Sequence, residues 1–200
     1  MKSIWETTLE SLYLVYTEET QKRITQELNR SMIKYLILDV DGTFTDGGVY
    51  YNDNDNEIKK FCTKDGTGIV IARAAGIKLI VLTGRSCPAT EHRMTELHID
   101  EVIQGVFDKA EWMRHWMSTE SVDKDDVGYI GDDINDLGPM RLCSWIGCPA
   151  DAATEVKEIA SYVSPIAGGH GAVRDCIEKL LRDARVWSGL VEKFYGGAGV

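Results

Sequence analysis

Tyr35-Leu36-Ile37-Leu38-Asp39-Val40-Asp41-Gly42-Thr43 (YLILDVDGT, residues 35–43) is an apolar run of strand length that ends in two aspartates, a glycine and a threonine. Apolar residues in unbroken succession read as a strand buried on both faces, the pattern of a parallel sheet covered by helices. In open α/β sheets ligands bind outside the carboxyl ends of the strands, which is where this run delivers its carboxylates. Asp39 and Asp41 are two residues apart, so in a regular strand both side chains point to the same side.

Outward from this run, short apolar stretches alternate with helical ones. Residues 49–51 and 58–61 flank the turn-rich segment 52–56 (NDNDN) and predict a β-hairpin from Val49 to Phe61. Helices are predicted over 67–75, with Gly76 as its stop, over 88–97, 109–117 and 172–181, and from the Gly131-Asp132-Asp133 turn to about residue 142. Strands are predicted over 78–82, 101–103 and 127–130, and near 144–147 and 162–163, the last two bracketing a further helix. This alternation predicts an α/β fold, a three-layer doubly wound parallel sheet with right-handed crossovers. Residues 1–30 differ. Ile4, Trp5, Leu9, Leu12, Tyr13, Tyr16, Ile24 and Leu28 recur at roughly helical spacing and predict an N-terminal helical segment whose apolar stripe needs a partner surface. The predicted organisation is therefore 1–30 helical, 31–183 the α/β domain, and 184–200 a C-terminal tail with a mobile GGAGV end.

The chain has 200 residues, 44% of them hydrophobic and 27% charged, which is ordinary globular material. Twenty-two Lys plus Arg against 32 Asp plus Glu give a net charge of −10. That argues against a nucleic-acid binder and against a protein resting on anionic lipid. A small anionic substrate stays compatible, because local cations and backbone N–H groups outweigh the global field. No apolar stretch approaches the roughly 18–20 residues of a membrane helix. Glu6 and Glu10 fall where a signal peptide needs an unbroken apolar core. The five cysteines are odd in number and form no CxxC, so reduced thiols in a cytoplasmic protein are expected.

The predicted strand ends bring chemistry to one rim. The first delivers Asp39 and Asp41, the second Thr83-Gly84-Arg85, the third Gln104-Gly105-Val106-Phe107-Asp108-Lys109, and the fourth Gly131-Asp132-Asp133-Ile134-Asn135-Asp136. That many carboxylates do not stay ionised together without a counter-cation. Hard oxygen ligands with open positions for water and phosphate suit Mg²⁺, with Asp39, Asp41 and Asp132 as the candidate ligands. Asp39 is the candidate nucleophile and Asp41 the candidate acid and base. Thr83 and the N–H groups of the next turn are candidates for holding phosphoryl oxygens, and Lys109 for neutralising charge. Asp136, one helical turn beyond Asp132, is a candidate to orient Lys109 or a metal-bound water.

The order DVDGT, a hydroxyl at the next strand end, a lone Lys and then GDDxxD resembles the four motifs of the haloacid dehalogenase-like phosphohydrolases. DVDGTFTDGGVYY, KFCTKDGTGI, LTGRSCPATEHR, QGVFDK, YIGDDINDL, CPADA and GGHGAVRD extend the resemblance to the branch of the 3-deoxy-D-manno-octulosonate 8-phosphate (KDO 8-phosphate) phosphatases, over about residues 33–181. The resemblance implies a Rossmann-like domain, a Mg²⁺-dependent sugar-phosphate phosphatase and an aspartyl-phosphate intermediate. It implies substrate cations at Arg85 and Arg93, with Gly84 and Lys109 beside them; Lys64 and Asp65 are further candidates. The intervals from Asp41 to Thr83 and from Thr83 to Lys109 are filled by the predicted elements, so no cap domain fits. The branch forms tetramers in which a hairpin leans toward a neighbouring site, which implies a homotetramer here with Val49–Phe61 in that role.

Bland readings stand beside these. Asp133 or Asp136 alone reads as a helix cap, and Arg93 as a solvated helix face. The Gly168-Gly169-His170-Gly171 run reads equally as an anion nest or a plain turn. Phosphates of nine-carbon ulosonates of the sialic-acid type are the alternative substrates. A non-catalytic oligomerisation module partnering a sugar cytidylyltransferase is the alternative of another class. A receiver-type signalling domain uses similar parts, but there the acidic pair leads and the Lys comes last, whereas here GDDxxD follows Lys109.

Overall fold

The computed structural model describes residues 32–54 and 56–196. Leu36, Ile37 and Leu38 are fully buried because strand β1 (Tyr35–Leu38) has a parallel neighbour on each side and cover over both faces. Among the described residues the chain continues through a hairpin of β2 (Tyr50–Tyr51) and β3 (Glu57–Ile58). Then come α1 (Thr63–Ala74), β4 (Lys78–Leu82), α2 (Pro88–Glu96), β5 (Glu101–Ile103) and α3 (Lys109–Glu120). β6 (Val127–Ile130), α4 (Leu137–Met140), β7 (Trp145–Cys148), α5 (Thr154–Ile159), β8 (Tyr162–Val163), α6 (Ala172–Asp183) and α7 (Trp187–Tyr195) follow. The strands outside the hairpin form one parallel sheet in the order β5-β4-β1-β6-β7-β8. This is the α/β doubly wound fold that the alternation predicts, with a small hairpin inserted after β1.

Side chains alternate along each strand. Ile37, Ile80, Leu82 and Tyr129 fall on one face and pack with Met113 and Trp116 of α3 and Met140 of α4. Leu36, Leu38, Leu79 and Val81 turn to the other face and are equally buried. Helix α6 buries Val173, Cys176, Ile177, Leu180 and Leu181, the i, i+3, i+4, i+7, i+8 stripe of an amphipathic helix. It packs so closely on α1 that a Cβ on Gly68 would stand 3.1 Å from Arg174 Cα.

The strand order positions the site. From β1 the chain builds outward to β5, then returns to the other flank of β1 and continues from β6 to β8. The adjacent strands β1 and β6 thus send their successors in opposite directions, and their carboxyl ends frame the switch-point crevice.

Some expectations are corrected. Helix α1 begins at Thr63, four residues before the predicted start; Gly66 and Gly68 are poor helix formers and mask the pattern, but both fill close contacts with neighbouring elements. The hairpin strands are shorter than 49–51 and 58–61, pairing only Tyr50 with Ile58 and Tyr51 with Glu57. The helix expected to reach residue 142 is a 3-10 turn, Ile134–Asp136, leading into the short α4. The stretch after residue 184 holds helix α7, whose buried Trp187 ring lies 4.7 Å from the Arg174 guanidinium and 5.8 Å from that of Arg182. The amphipathic segment at 1–30 and the chain end at 197–200 lie outside the described residues. All five cysteines are free. No helix among the described residues is long and apolar enough to cross a membrane.

Candidate active site

The crevice is built by backbone first. The Asp39 N–H donates to the Ile130 carbonyl at 2.9 Å, which registers the end of β1 against the end of β6. Gly42 has φ +90°, and a Cβ there would overlap the Asp132 carboxylate. The loop after β1 can therefore close onto the loop after β6, and the Thr43 hydroxyl donates to Asp132 Oδ1 at 2.8 Å. A third loop braces both. The Gly169 N–H donates to the Thr43 carbonyl at 3.2 Å, and a Cβ on Gly168 would overlap the Gly42 carbonyl.

Lys109 opens α3, immediately after the N-cap Asp108, whose carboxylate accepts from the Glu111 N–H at 2.8 Å. Its ammonium is buried and donates to Asp39 Oδ1 and to Asp136 Oδ1, each at 2.7 Å. Asp136 is fully engaged. It also accepts from the Tyr129 hydroxyl at 2.8 Å and, through Oδ2, from the Asp132 N–H at 3.1 Å. Burial, then the charge of Asp136, holds the Asp39 carboxyl well above the usual carboxylate range, with Lys109 pulling the other way. Burial also pushes Asp132 up to about 7, against the Thr43 hydrogen bond. Burial pulls the Lys109 ammonium down, but Asp39 and Asp136 outweigh it and leave the pKa raised.

Asp39, Asp132 and Asp136 each bring a carboxylate oxygen within 4.8 Å of the others. Since Asp136 already serves Lys109, Tyr129 and the backbone, Asp39 and Asp132 are the carboxylates left to hold a cation. A buried and a half-buried acid that desolvation and neighbouring carboxylates penalise as anions are relieved by a small divalent ion, and hard oxygen donors fit Mg²⁺. Asp41, expected in the same ligand set, turns its carboxylate elsewhere.

Asp41 Oδ1 pairs with the Lys59 ammonium, which follows β3 and is almost wholly buried. Lys59 also lies 2.9 Å from Glu57 Oε1, and Glu57 in turn accepts from Arg85 at 2.8 Å. Burial pulls Lys59 down, but its bonds to Asp41 and Glu57 more than reverse this and keep the ammonium charged. At the base of the hairpin, Lys60 pairs with Asp46 at 2.6 Å.

Thr83 is buried at the end of β4, where its hydroxyl accepts from the Arg85 N–H at 3.4 Å and shapes the Thr83-Gly84-Arg85 turn. A cavity of about 400 Å³ opens beside Lys109, lined by Gly84, Val106, Phe107, Asn135 and Pro139 among others. Arg93 is directed away from the carboxylates, pairing with Glu96 at 3.1 Å and standing over the start of α1. Lys64, in the first turn of α1, lies against Gly171, and within the bracing loop His170 Nδ1 is 2.7 Å from the Gly168 carbonyl. The structure thus brings buried Asp39, Lys109 and Asp136 and half-buried Asp132 into one cluster. Asp41, Thr83, Gly84 and Arg85 stand around it, and Arg93 stands apart.

Sequence reasoning passed over Lys59, Thr43 and Tyr129. Lys59 sat inside a predicted strand with nothing to single it out; the structure exposes Ile58 and buries Lys59. Thr43 was quoted only as part of a motif, and Tyr129 only as a strand residue.

No family model matches the chain. Its relatives include 3-deoxy-D-manno-octulosonate 8-phosphate phosphatase KdsC of Escherichia coli K12, 36% identical over 149 residues, 74% of this chain and 79% of that protein. Among solved structures, the same phosphatase from Moraxella catarrhalis, in complex with magnesium, phosphate and KDO, superposes with a TM-score of 0.78. It is 30% identical and covers 86% of this chain and 98% of its own. The cobalt-bound Haemophilus influenzae phosphatase superposes with a TM-score of 0.74 at 34% identity, over 80% of this chain and 94% of its own. With the motif order, the doubly wound sheet and the carboxylate-lysine cluster already in hand, this degree of identity over most of both chains has one meaning: the chain belongs to the 3-deoxy-D-manno-octulosonate 8-phosphate phosphatase family of the haloacid dehalogenase-like phosphohydrolases.

Proposed function

We propose that this protein is a Mg²⁺-dependent phosphatase of a phosphorylated keto-deoxy sugar acid of the KDO 8-phosphate type, working through an aspartyl-phosphate. The observation that carries the reading is the buried Asp39–Lys109–Asp136 arrangement at the switch point, with Asp132 beside it. A carboxylate nucleophile needs a fixed orientation and a nearby positive charge to receive a phosphoryl group, and Lys109 supplies both.

In the first half-reaction an Asp39 oxygen attacks phosphorus while the bond from phosphorus to the sugar oxygen breaks. Asp41 gives that oxygen its proton. In the second, Asp41 as carboxylate takes a proton from water, the water oxygen attacks phosphorus, and the bond to Asp39 breaks to release phosphate. Thr83 and the N–H groups of its turn hold the phosphoryl oxygens, and Arg85 offers a planar cation to the substrate's carboxylate. Asp39 and Asp132 would hold the Mg²⁺ ion, which would supply charge neutralisation for the phosphoryl transfer.

The reading extends to assembly. Val49, Tyr50, Tyr51 and Ile58 of the hairpin and Phe107 at the rim are exposed in the single chain. A site without a cap needs cover from water, and an apolar hairpin seated on a neighbour's rim in a homotetramer supplies it.

The test is phosphate release with Mg²⁺ from KDO 8-phosphate, nine-carbon ulosonate 9-phosphates, hexose phosphates and an aryl phosphate, with Asp39→Asn as the control. Preference for KDO 8-phosphate is expected. Preference for a nine-carbon substrate would redirect the assignment, and no release from folded, metal-loaded protein would leave the tethering module.

A further inference from the structure

We propose that Lys59 is a positioning residue for Asp41: by taking Oδ1 it aims the other carboxylate oxygen at the reacting centre. This rests on the reading above that Asp41 carries the proton. Lys59 and Lys109 are both buried, and the two divide the labour. Lys109 belongs to the Asp39–Asp136 cluster, whereas Lys59 comes in from the hairpin and, among the described residues, pairs with Asp41 and Glu57. Asp41 Oδ2 is buried and has no hydrogen-bond partner among the described residues. An unpartnered buried carboxylate oxygen is costly to keep and calls for a role, and for an acid/base at the reacting centre that role is proton exchange. With Oδ1 held, rotation of the carboxylate is blocked, so Oδ2 is the oxygen that does so.

The second bond of Lys59 gives the device its reach. Glu57 lies in β3 and pairs with both Lys59 and Arg85. The chain Asp41–Lys59–Glu57–Arg85 therefore links the acid/base, the hairpin and the Thr83 turn in one row of alternating charge. A row of this kind orients each member through the next. The hairpin is thereby tied to the reaction through the aim of Asp41, in addition to any role as cover.

Leaving-group dependence tests this, read as kcat/KM, which stops at the first bond cleavage. Phenyl phosphate needs protonation of its oxygen as it departs; 2,4-dinitrophenyl phosphate does not. Lys59→Met should lose about 100-fold on phenyl phosphate and on KDO 8-phosphate, at the low end of what a positioned acid contributes, and under about 5-fold on the dinitrophenyl ester. Inhibition by inorganic phosphate should be unchanged, and Lys59→Arg should recover part of the loss. A uniform loss across leaving groups, or weakened phosphate inhibition, would overturn the proposal in favour of packing or of direct substrate binding. If Lys59→Met does not fold, Lys59→Arg decides by the same criterion, selective against uniform loss. Asp41→Asn separates the two layers. Selective loss in Asp41→Asn with uniform loss at Lys59 sinks only this inference, while uniform loss in Asp41→Asn sinks the acid assignment itself.

Discussion

Lys109 and Asp136 meet 2.7 Å apart, both hidden from solvent, in a pair whose lysine is shared with Asp39. One buried cation thus answers two buried carboxylates. Removing it leaves both anions uncompensated, and breaking a buried pair from one side costs about 3–5 kcal/mol. Lys109→Met is expected to lower stability by that order in urea unfolding and to abolish turnover. Adding Asp136→Asn to it should restore part of the stability and none of the activity; a double variant no more stable than the single would contradict the charge argument.

Asp39→Asn keeps the size of the side chain and removes the nucleophile. Phosphate release should fall at least about 1,000-fold, as loss of a covalent catalyst requires, with the circular dichroism spectrum unchanged. Full activity would remove Asp39 from the proposed role.

Divalent metal binds the folded crevice and not the dispersed carboxylates of the unfolded chain, so it stabilises by mass action. At 100 times its Kd, Mg²⁺ should add about 2.7 kcal/mol, read as a rise in Tm. Asp132→Ala should lose that rise, and excess EDTA should silence the wild type. A Tm indifferent to Mg²⁺ would contradict the carboxylate site.

Asp65 supplies a pH prediction away from the metal. It is buried in the first turn of α1, its Oδ1 accepts from the Arg174 N–H at 2.8 Å, and burial pushes its carboxyl from 3.8 up to about 6. A folded-state value above the unfolded one means that the stability this group allows is complete below pH 4 and is lost as pH rises through 6. At pH 8 the ionised carboxylate costs roughly 3 kcal/mol. Asp65→Asn keeps the acceptor and should be more stable than wild type at pH 8 by up to about that amount. The difference should vanish near pH 4, and a pH-independent difference would rule the mechanism out.

The hairpin offers a test of assembly. Tyr50→Lys places charge on the exposed apolar strand and leaves Tyr51, the neighbour of Arg85, in place. Light scattering is expected to fall from four chains per particle toward one, with kcat/KM falling alongside. A wild-type particle of a single active chain would dismiss the intersubunit cover.

The sheet was legible in the sequence because buried parallel strands leave an unmistakable signal: 35–38, 78–82, 101–103 and 127–130 appear where the apolar runs put them. Asp39, Thr83, Lys109 and Asp132 were legible for a related reason, since each closes or follows a strand on the rim where such sheets bind ligands. What stayed hidden was set by long-range contact. Gly66 and Gly68 look like breaks until the facing helix is known, and Trp187 looks like part of a tail until the two arginines beside it are seen. Lys59 was hidden by the hairpin's two-residue strands, too short for alternation to reveal which side chain turns inward. The direction of Arg93 likewise depends on its partner Glu96, a choice that strand-end logic does not address.

The brace of Gly168 and Gly169 on the loop after β1 has a consequence for how the protein is made. Asp39 leaves the ribosome more than 120 residues before Gly168, the first of the glycines that brace the loop after it. Between Asp136 and Gly168 the growing chain holds every acid and lysine of the cluster and not yet the glycines that brace the loop after β1. A product broken off just before residue 168 would carry the whole catalytic inventory and still lack the clamp on Gly42 and Thr43.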